Sequence, residues 1–249
     1  MANDPRFDYA LHLADNALVL AQRLGAWVGH APELEEDLGL ANLALDLLGQ
    51  ARLCYAYAAE IEGRGRTEDD FAYFRDEDEF RNCLLCEQPN GDFGHTIARH
   101  FYFSAYQQAL YTALAAGPDA RFAEIAAQGL RETRYHVRYS ANWLVRLGDG
   151  TAESHARAQA AVDTLWPYVH ELFESAAVDR AASAFAPAPE SLRSAFERTL
   201  EATLAEATLR MPSDDWQPRG GKDGRHSEHL SYLLAEMQSL ARAHPGARW

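Results

Sequence analysis

Between Leu40 and Ala58 the apolar residues return every three or four positions: Leu40, Leu43, Ala44, Leu47, Ala51, Cys54, Tyr55 and Ala58. That period lays them along one side of an α-helix and excludes a strand, whose sides alternate every second residue. Helical patterning also runs from about Phe7 to Val28, along Ile97, Phe101, Ser104, Gln108 and Tyr111, and from about Asp119 to Leu147. It continues from Thr151 to about Ala177, from about Ser191 to Leu209, and through the closing "SEHLSYLLAEMQSLARA". No alternating strand pattern of any length is present. The expected class is all-α: a bundle of five or six helices of about 20 to 30 residues each, joined by short breaks.

Local chemistry places the breaks. Pro32 followed by Glu33, Glu35, Glu36 and Asp37 suits the positive end of the second helix, and Gly63 and Gly65 close it. An acidic segment, "TEDDFAYFRDEDEFRNCLLCEQ", precedes "PNGD", whose Asp92 is the expected N-cap of the next helix. "MPSDDWQPRGGKDGRHS" is the longest irregular stretch. No composition shift marks a linker, so residues 1–249 are read as a single helical domain.

A net charge of −14 argues against non-specific binding to nucleic acid or anionic membranes. Three cysteines, Cys54, Cys83 and Cys86, are few and odd in number, as in a reducing compartment. Cys83-Leu-Leu-Cys86 has redox spacing. With no second pair and no preceding strand, it reads as two small apolar residues in a helical run. The N-terminus lacks the basic and apolar segments of a signal peptide, and no run of about 18 apolar residues exists to span a membrane.

Long bundles can hold a carboxylate-bridged di-iron centre, built from a Glu on each of two helices and a Glu-x-x-His on each of two others. The three-residue spacing puts both side chains of the motif on one face, within reach of one metal. No Glu-x-x-His occurs in this chain. Asp92-Phe-Gly-His95 has the spacing but sits at a helix start, where capping explains the aspartate. Asp223-Gly-Arg-His226 lies in a glycine-rich loop. Glu132-Thr-Arg-Tyr-His136 is one residue too long, though Glu132 and His136 can touch as an i, i+4 pair. In "LALDLLGQAR", Asp46 and Gln50 also stand four apart, and the nearest motif spacing is Leu47-x-x-Gln50. Leucine binds no metal, and a neutral amide is a poor ligand for iron. The stretch therefore reads as a ligand helix whose metal-binding groups are replaced by groups that satisfy one another.

The scattered His12, His30, His155, His170 and His244 read as surface or helix-end residues. No nucleophile elbow or P-loop is present. "RGGKDGRH" gathers Arg219, Lys222, Arg225 and His226 in an acidic protein. Such a cluster suits a phosphate, an acidic partner, or the ordering of the C-terminal helix.

The stretches "LADNALVLAQRL", "APELEEDLGLANLALDLLGQAR", "FRDEDEFRN", "EQPNGDFGHTIAR", "RYHVRYSANWLVRLGDGT" and "GGKDGRHSEHLSYLLAEMQ" run from residue 13 to residue 238. On them the chain resembles the C-subunit family (PaaC type) of the bacterial ring-1,2-phenylacetyl-CoA epoxidase, a multicomponent oxygenase of phenylacetate degradation. The resemblance implies a ferritin-like long-helix bundle with additional C-terminal helices, located in the cytoplasm. It implies a non-catalytic, accessory role. The related A subunit holds the di-iron centre and epoxidises the ring of phenylacetyl-CoA. A reductase with flavin and an iron–sulfur cluster supplies electrons from NADPH. This chain is then a degenerate paralogue that pairs with the A subunit and other epoxidase subunits, as a homo- or hetero-oligomer, and binds no cofactor itself. Asp46, Leu47, Gln50, Glu87, Glu132 and His136 become vestigial metal-site positions. Arg219, Lys222, Arg225 and His226 become candidates for contact with CoA phosphates or a partner.

Two readings compete with this one. The chain itself is an oxidase or hydroxylase with an atypical metal site, for which Glu60, Glu87, Glu132, His136 and Glu171 are the candidate ligands. Alternatively it is a ferritin-like protein with an unrelated storage or binding role.

Overall fold

The computed structural model describes residues 4–213 and 216–247. The described residues are helical without strands. The long helices are α1 (Pro5–Gly25), α2 (Leu34–Glu62), α5 (Phe93–Ala115), α6 (Ala120–Gly148) and α7 (Ala152–Val169). Shorter ones are α3 (Glu68–Tyr73), α4 (Leu84–Glu87), α8 (Ala177–Ala181), α9 (Arg193–Glu206) and α10 (Glu228–Ala243). Helix α1 packs along α2, and α5 along α6. Helices α2 and α6 run antiparallel, so the four close into a bundle. The long crossover from α2 to α5, carrying α3 and α4, gives it ferritin-like connectivity. Helix α7 lies on α5, and α9 and α10 are the additional C-terminal helices.

The caps follow sequence chemistry. Asp4, Asp92 and Asp119 accept backbone N–H bonds at the starts of α1, α5 and α6, and Thr151 does so for α7. Asp92 therefore caps, through the backbone N–H of His95 at 2.8 Å. Gly63 closes α2 in the left-handed conformation.

Three boundaries differ from expectation. The first helix stops at Gly25, before the turns that carry Trp27 and Val28. The helix from Thr151 stops at Val169, not near Ala177. Pro167 removes a backbone donor close to that end, and a 3₁₀ turn over His170–Phe173 directs Glu171 inward. Helix α9 starts at Arg193, after a 3₁₀ turn over Pro189–Leu192, and ends at Glu206.

The core is continuous and carries an unusual load of buried polar groups. On α1, His12, Asp15 and Asn16 are all buried, so His12 is a core histidine and not the surface residue expected. Asp15 accepts from Tyr55 Oη of α2 at 2.5 Å, from the Arg75 guanidinium, and from the Arg81 backbone N–H at 2.8 Å. Asn16 accepts from Cys83 N at 2.7 Å. These bonds tie the crossover to the bundle.

Candidate functional site

Two polar clusters contain the residues singled out from sequence. The first lies between α2 and α6. The pairs run crosswise: His136 Nε2 stands 3.2 Å from Asp46 Oδ2, and Gln50 Nε2 donates to Glu132 Oε2 at 2.8 Å. Asp46 and Gln50 therefore do not satisfy each other along α2, nor do Glu132 and His136 along α6. Each reaches the facing helix. The four-residue spacing on both helices makes the rungs coincide, because antiparallel helices of equal pitch keep step.

The Gln50 amide oxygen is also used. It accepts from Gln107 Nε2 at 3.0 Å and from Tyr111 Oη at 3.3 Å, both on α5. Thr133 Oγ1 stands 3.3 Å from Gln107 Oε1 and 2.9 Å from the Gly129 carbonyl. The absence of a side chain at Gly129 makes room for Tyr111, since a Cβ there would stand 2.6 Å from the ring. Leu47 is fully buried in the core. Burial raises the Glu132 carboxyl above its ordinary value, and the Gln50 amide works in the opposite direction.

His100, on α5, is the unsatisfied member. Its ring centroid lies 5.0 Å from that of His136. Both of its ring nitrogens, and Nδ1 of His136, are buried without a hydrogen-bond partner among the described residues. Burial, then the neighbouring His136 and Arg99, push the His100 imidazole well below its ordinary value. His100, Ser104, Gln107 and Tyr111 share a face at spacings of four, three and four. The apolar periodicity points to Gln108 instead, because α5 is apolar on several sides; Gln108 turns away from this cluster and lines a groove against α9. The polar 100–104–107–111 spacing is the signal that identifies the correct face.

The donor set does not suit a di-iron centre. Asp46 is 38% exposed at its side chain, Gln50 is neutral, and Leu47 fills the intervening core position. Among the described residues, no group of three or more His, Cys, Asp or Glu side chains is placed to hold a metal ion.

The second cluster lies around the loop 219–227 and corrects three expectations. Glu87 is not beside Asp46 and Glu132. It is buried on α4, accepting from Asn82 Nδ2 at 2.9 Å and Ser227 N at 2.6 Å, with His226 Nδ1 at 2.8 Å. His226 is enclosed in that pair. Burial disfavours its charged form, but the Glu87 bond and charge prevail and raise its pKa above the ordinary value. Lys222 is also internal: its ammonium bonds Asp179 at 3.1 Å and the Glu174 carbonyl at 2.9 Å. Both side chains are turned inward, where they hold the loop in place.

Glu171 completes the anchor, accepting from Leu84 N, Gly220 N and Gly221 N at 2.7–2.8 Å. Gly221 lies so close to the crossover that a Cβ would stand 2.4 Å from the Asn82 carbonyl. Arg219 and Arg225 remain exposed, opposite Glu174 at 3.2 Å and Asp223 at 3.5 Å. Glu60 is also at the surface, 3.5 Å from Arg121. Cys83 and Cys86 are free and buried, and burial pushes both thiols up, which removes the thiolate that redox chemistry needs. No described helix is long and apolar enough to cross a membrane.

The comparisons with known proteins agree with the resemblance carried by the sequence motifs. The family model described as "Phenylacetic acid catabolic protein" matches residues 1–249. The C subunit of the 1,2-phenylacetyl-CoA epoxidase of Escherichia coli (strain K12) is 50% identical over 243 residues, covering 97% of this chain and 98% of that protein. The chain thus belongs to the phenylacetic acid catabolic protein family.

Proposed function

We propose that this chain is the C-type subunit of a phenylacetyl-CoA epoxidase complex and supports a catalytic di-iron subunit without catalysing the reaction itself. The 50% identity to the Escherichia coli protein supports the place in the complex. The crosswise pairing of Asp46 with His136 and Gln50 with Glu132 supports the accessory role. Groups engaged with one another across two helices need no metal to balance them. A charged carboxylate cluster left unpaired in a helix bundle would be costly. On this reading Asp46, Leu47, Gln50, Glu132 and His136 are vestigial positions, and iron, flavin, iron–sulfur cluster and NADPH act on partner subunits in the cytoplasm.

The unpartnered nitrogens of His100 and His136 favour a second reading, an oxidase with an atypical metal site. Reconstitution with the catalytic subunit separates the two. A Glu132→Gln, His136→Phe double variant is expected to co-purify with that subunit and to sustain full epoxidation. Normal assembly with turnover lost would overturn the accessory role. Wild-type protein that fails to bind the catalytic subunit would overturn membership of the complex.

A further inference from the structure

We propose that Tyr139 and Glu36 form a proton-coupled redox site, at which Tyr139 gives up one electron and passes its phenolic proton to Glu36. A single carboxylate oxygen, Oε2 of Glu36, accepts from two oxidisable groups: Tyr139 Oη, and Trp143 Nε1 at 2.8 Å. Tyr139 and Trp143 stand four apart on α6, so both reach one point in the first turn of α2. Gly39 leaves room for the phenol, since a Cβ there would stand 3.2 Å from Tyr139 Oη. A strap between the two helices would need only one of these bonds.

A neutral tyrosine gives up an electron readily only when its proton has somewhere to go, because the radical cation is a very strong acid. The other buried tyrosines lack a free base. Tyr102 and Tyr111 donate to neutral oxygens, of Val162 and Gln50. Tyr55 donates to Asp15, but that carboxylate is committed to the Arg75 guanidinium. Glu36 forms no ion pair among the described residues and stands within hydrogen-bond reach, the geometry that proton transfer requires. Burial, then Glu36, raise the Tyr139 pKa, so the phenol keeps its proton until the electron leaves.

The pair is half-buried, yet one ring from solvent. Tyr135 is 43% exposed, and its ring centroid lies 6.2 Å from that of Tyr139. On the other side Trp143 meets Phe93 edge-on at 5.0 Å. The step balances. Tyr139–OH, the Glu36 carboxylate and a one-electron oxidant give the neutral tyrosyl radical, the Glu36 carboxylic acid and the reduced oxidant. Return of the electron returns the proton. The oxidant is of the class that dioxygen activation on a partner subunit releases, so its biological source rests on the role proposed above, while the pair itself does not.

Flash photolysis of the purified chain with a ruthenium tris-bipyridine sensitiser and persulfate tests it, read by transient absorption and freeze-quench electron paramagnetic resonance. The wild type is expected to give a persistent tyrosyl signal, formed more slowly in D₂O than in H₂O. Tyr139→Phe is expected to remove that signal, whereas Tyr232→Phe, at a 70% exposed position on α10, is expected to keep it. Glu36→Gln still accepts hydrogen bonds but takes no proton, and is expected to lower the yield about tenfold with an unchanged far-ultraviolet dichroism spectrum. A persistent signal that survives Tyr139→Phe would overturn the proposal. So would an undiminished yield in Glu36→Gln, or a wild-type rate that is the same in D₂O, a readout that needs no variant to fold.

Discussion

Lys222 carries a charge that does not reach solvent. Its side chain is 2% exposed and its ammonium is neutralised by Asp179. Removing one partner of a buried pair strands the other, so Lys222→Ala is expected to cost about 3–5 kcal/mol in urea unfolding. Arg219→Ala and Arg225→Ala remove exposed pairs and are expected to leave the unfolding midpoint almost unchanged. Three histidines give opposite pH slopes. The folded values of His100 and His12 are depressed by burial, so the unfolded chain binds protons that the folded chain refuses, and stability falls as pH drops below about 6.5. The folded value of His226 is raised, so its contribution is present below about pH 6.5 and is lost as pH climbs through that raised value. Denaturation at a series of pH values should therefore show His100→Phe lessening the acid loss. His226→Ala should flatten the alkaline one. His100→Phe is also expected to be stabilising or nearly neutral at pH 7, since it removes two unsatisfied buried nitrogens.

At the level of elements, the α2–α6 ladder explains two polar side chains one turn apart among leucines. A double-mutant cycle on Gln50 and Glu132 should measure it. Gln50→Leu alone leaves Gln107, Tyr111 and Glu132 short of partners and is expected to cost about 1–3 kcal/mol, while adding Glu132→Leu recovers part of the loss. Much of this level was legible in the sequence. Caps at Asp92, Asp119 and Thr151 and the glycine stop after α2 follow from local chemistry, which needs no partner element. What could not be read was which helix each polar residue faces. Glu132 and His136 sit correctly for contact with each other, yet both turn to α2, because only the packed bundle sets that choice. Glu87, Lys222 and His226 failed for the same reason. A charged residue in a glycine-rich loop looks exposed until a fold brings Asp179 or a crossover segment against it.

At the scale of the whole molecule, the family motifs share a structural purpose. Asp15 and Asn16 fasten "FRDEDEFRN" and the Cys83 that follows it to α1 through backbone N–H groups, Glu87 at the head of "EQPNGDFGHTIAR" accepts from Ser227 N, and Glu171 accepts from Leu84 N and from the first two glycines of "GGKDGRHS". The molecule invests its buried carboxylates in holding loops and joining helices, where a catalytic member of such a bundle would direct them at metal. The most direct test of that claim is elemental analysis of the purified chain, before and after incubation with ferrous iron and desalting. The account predicts less than about a tenth of an iron per chain in both samples, because no di-iron ligand set is assembled among the described residues. A content close to two irons per chain would contradict it.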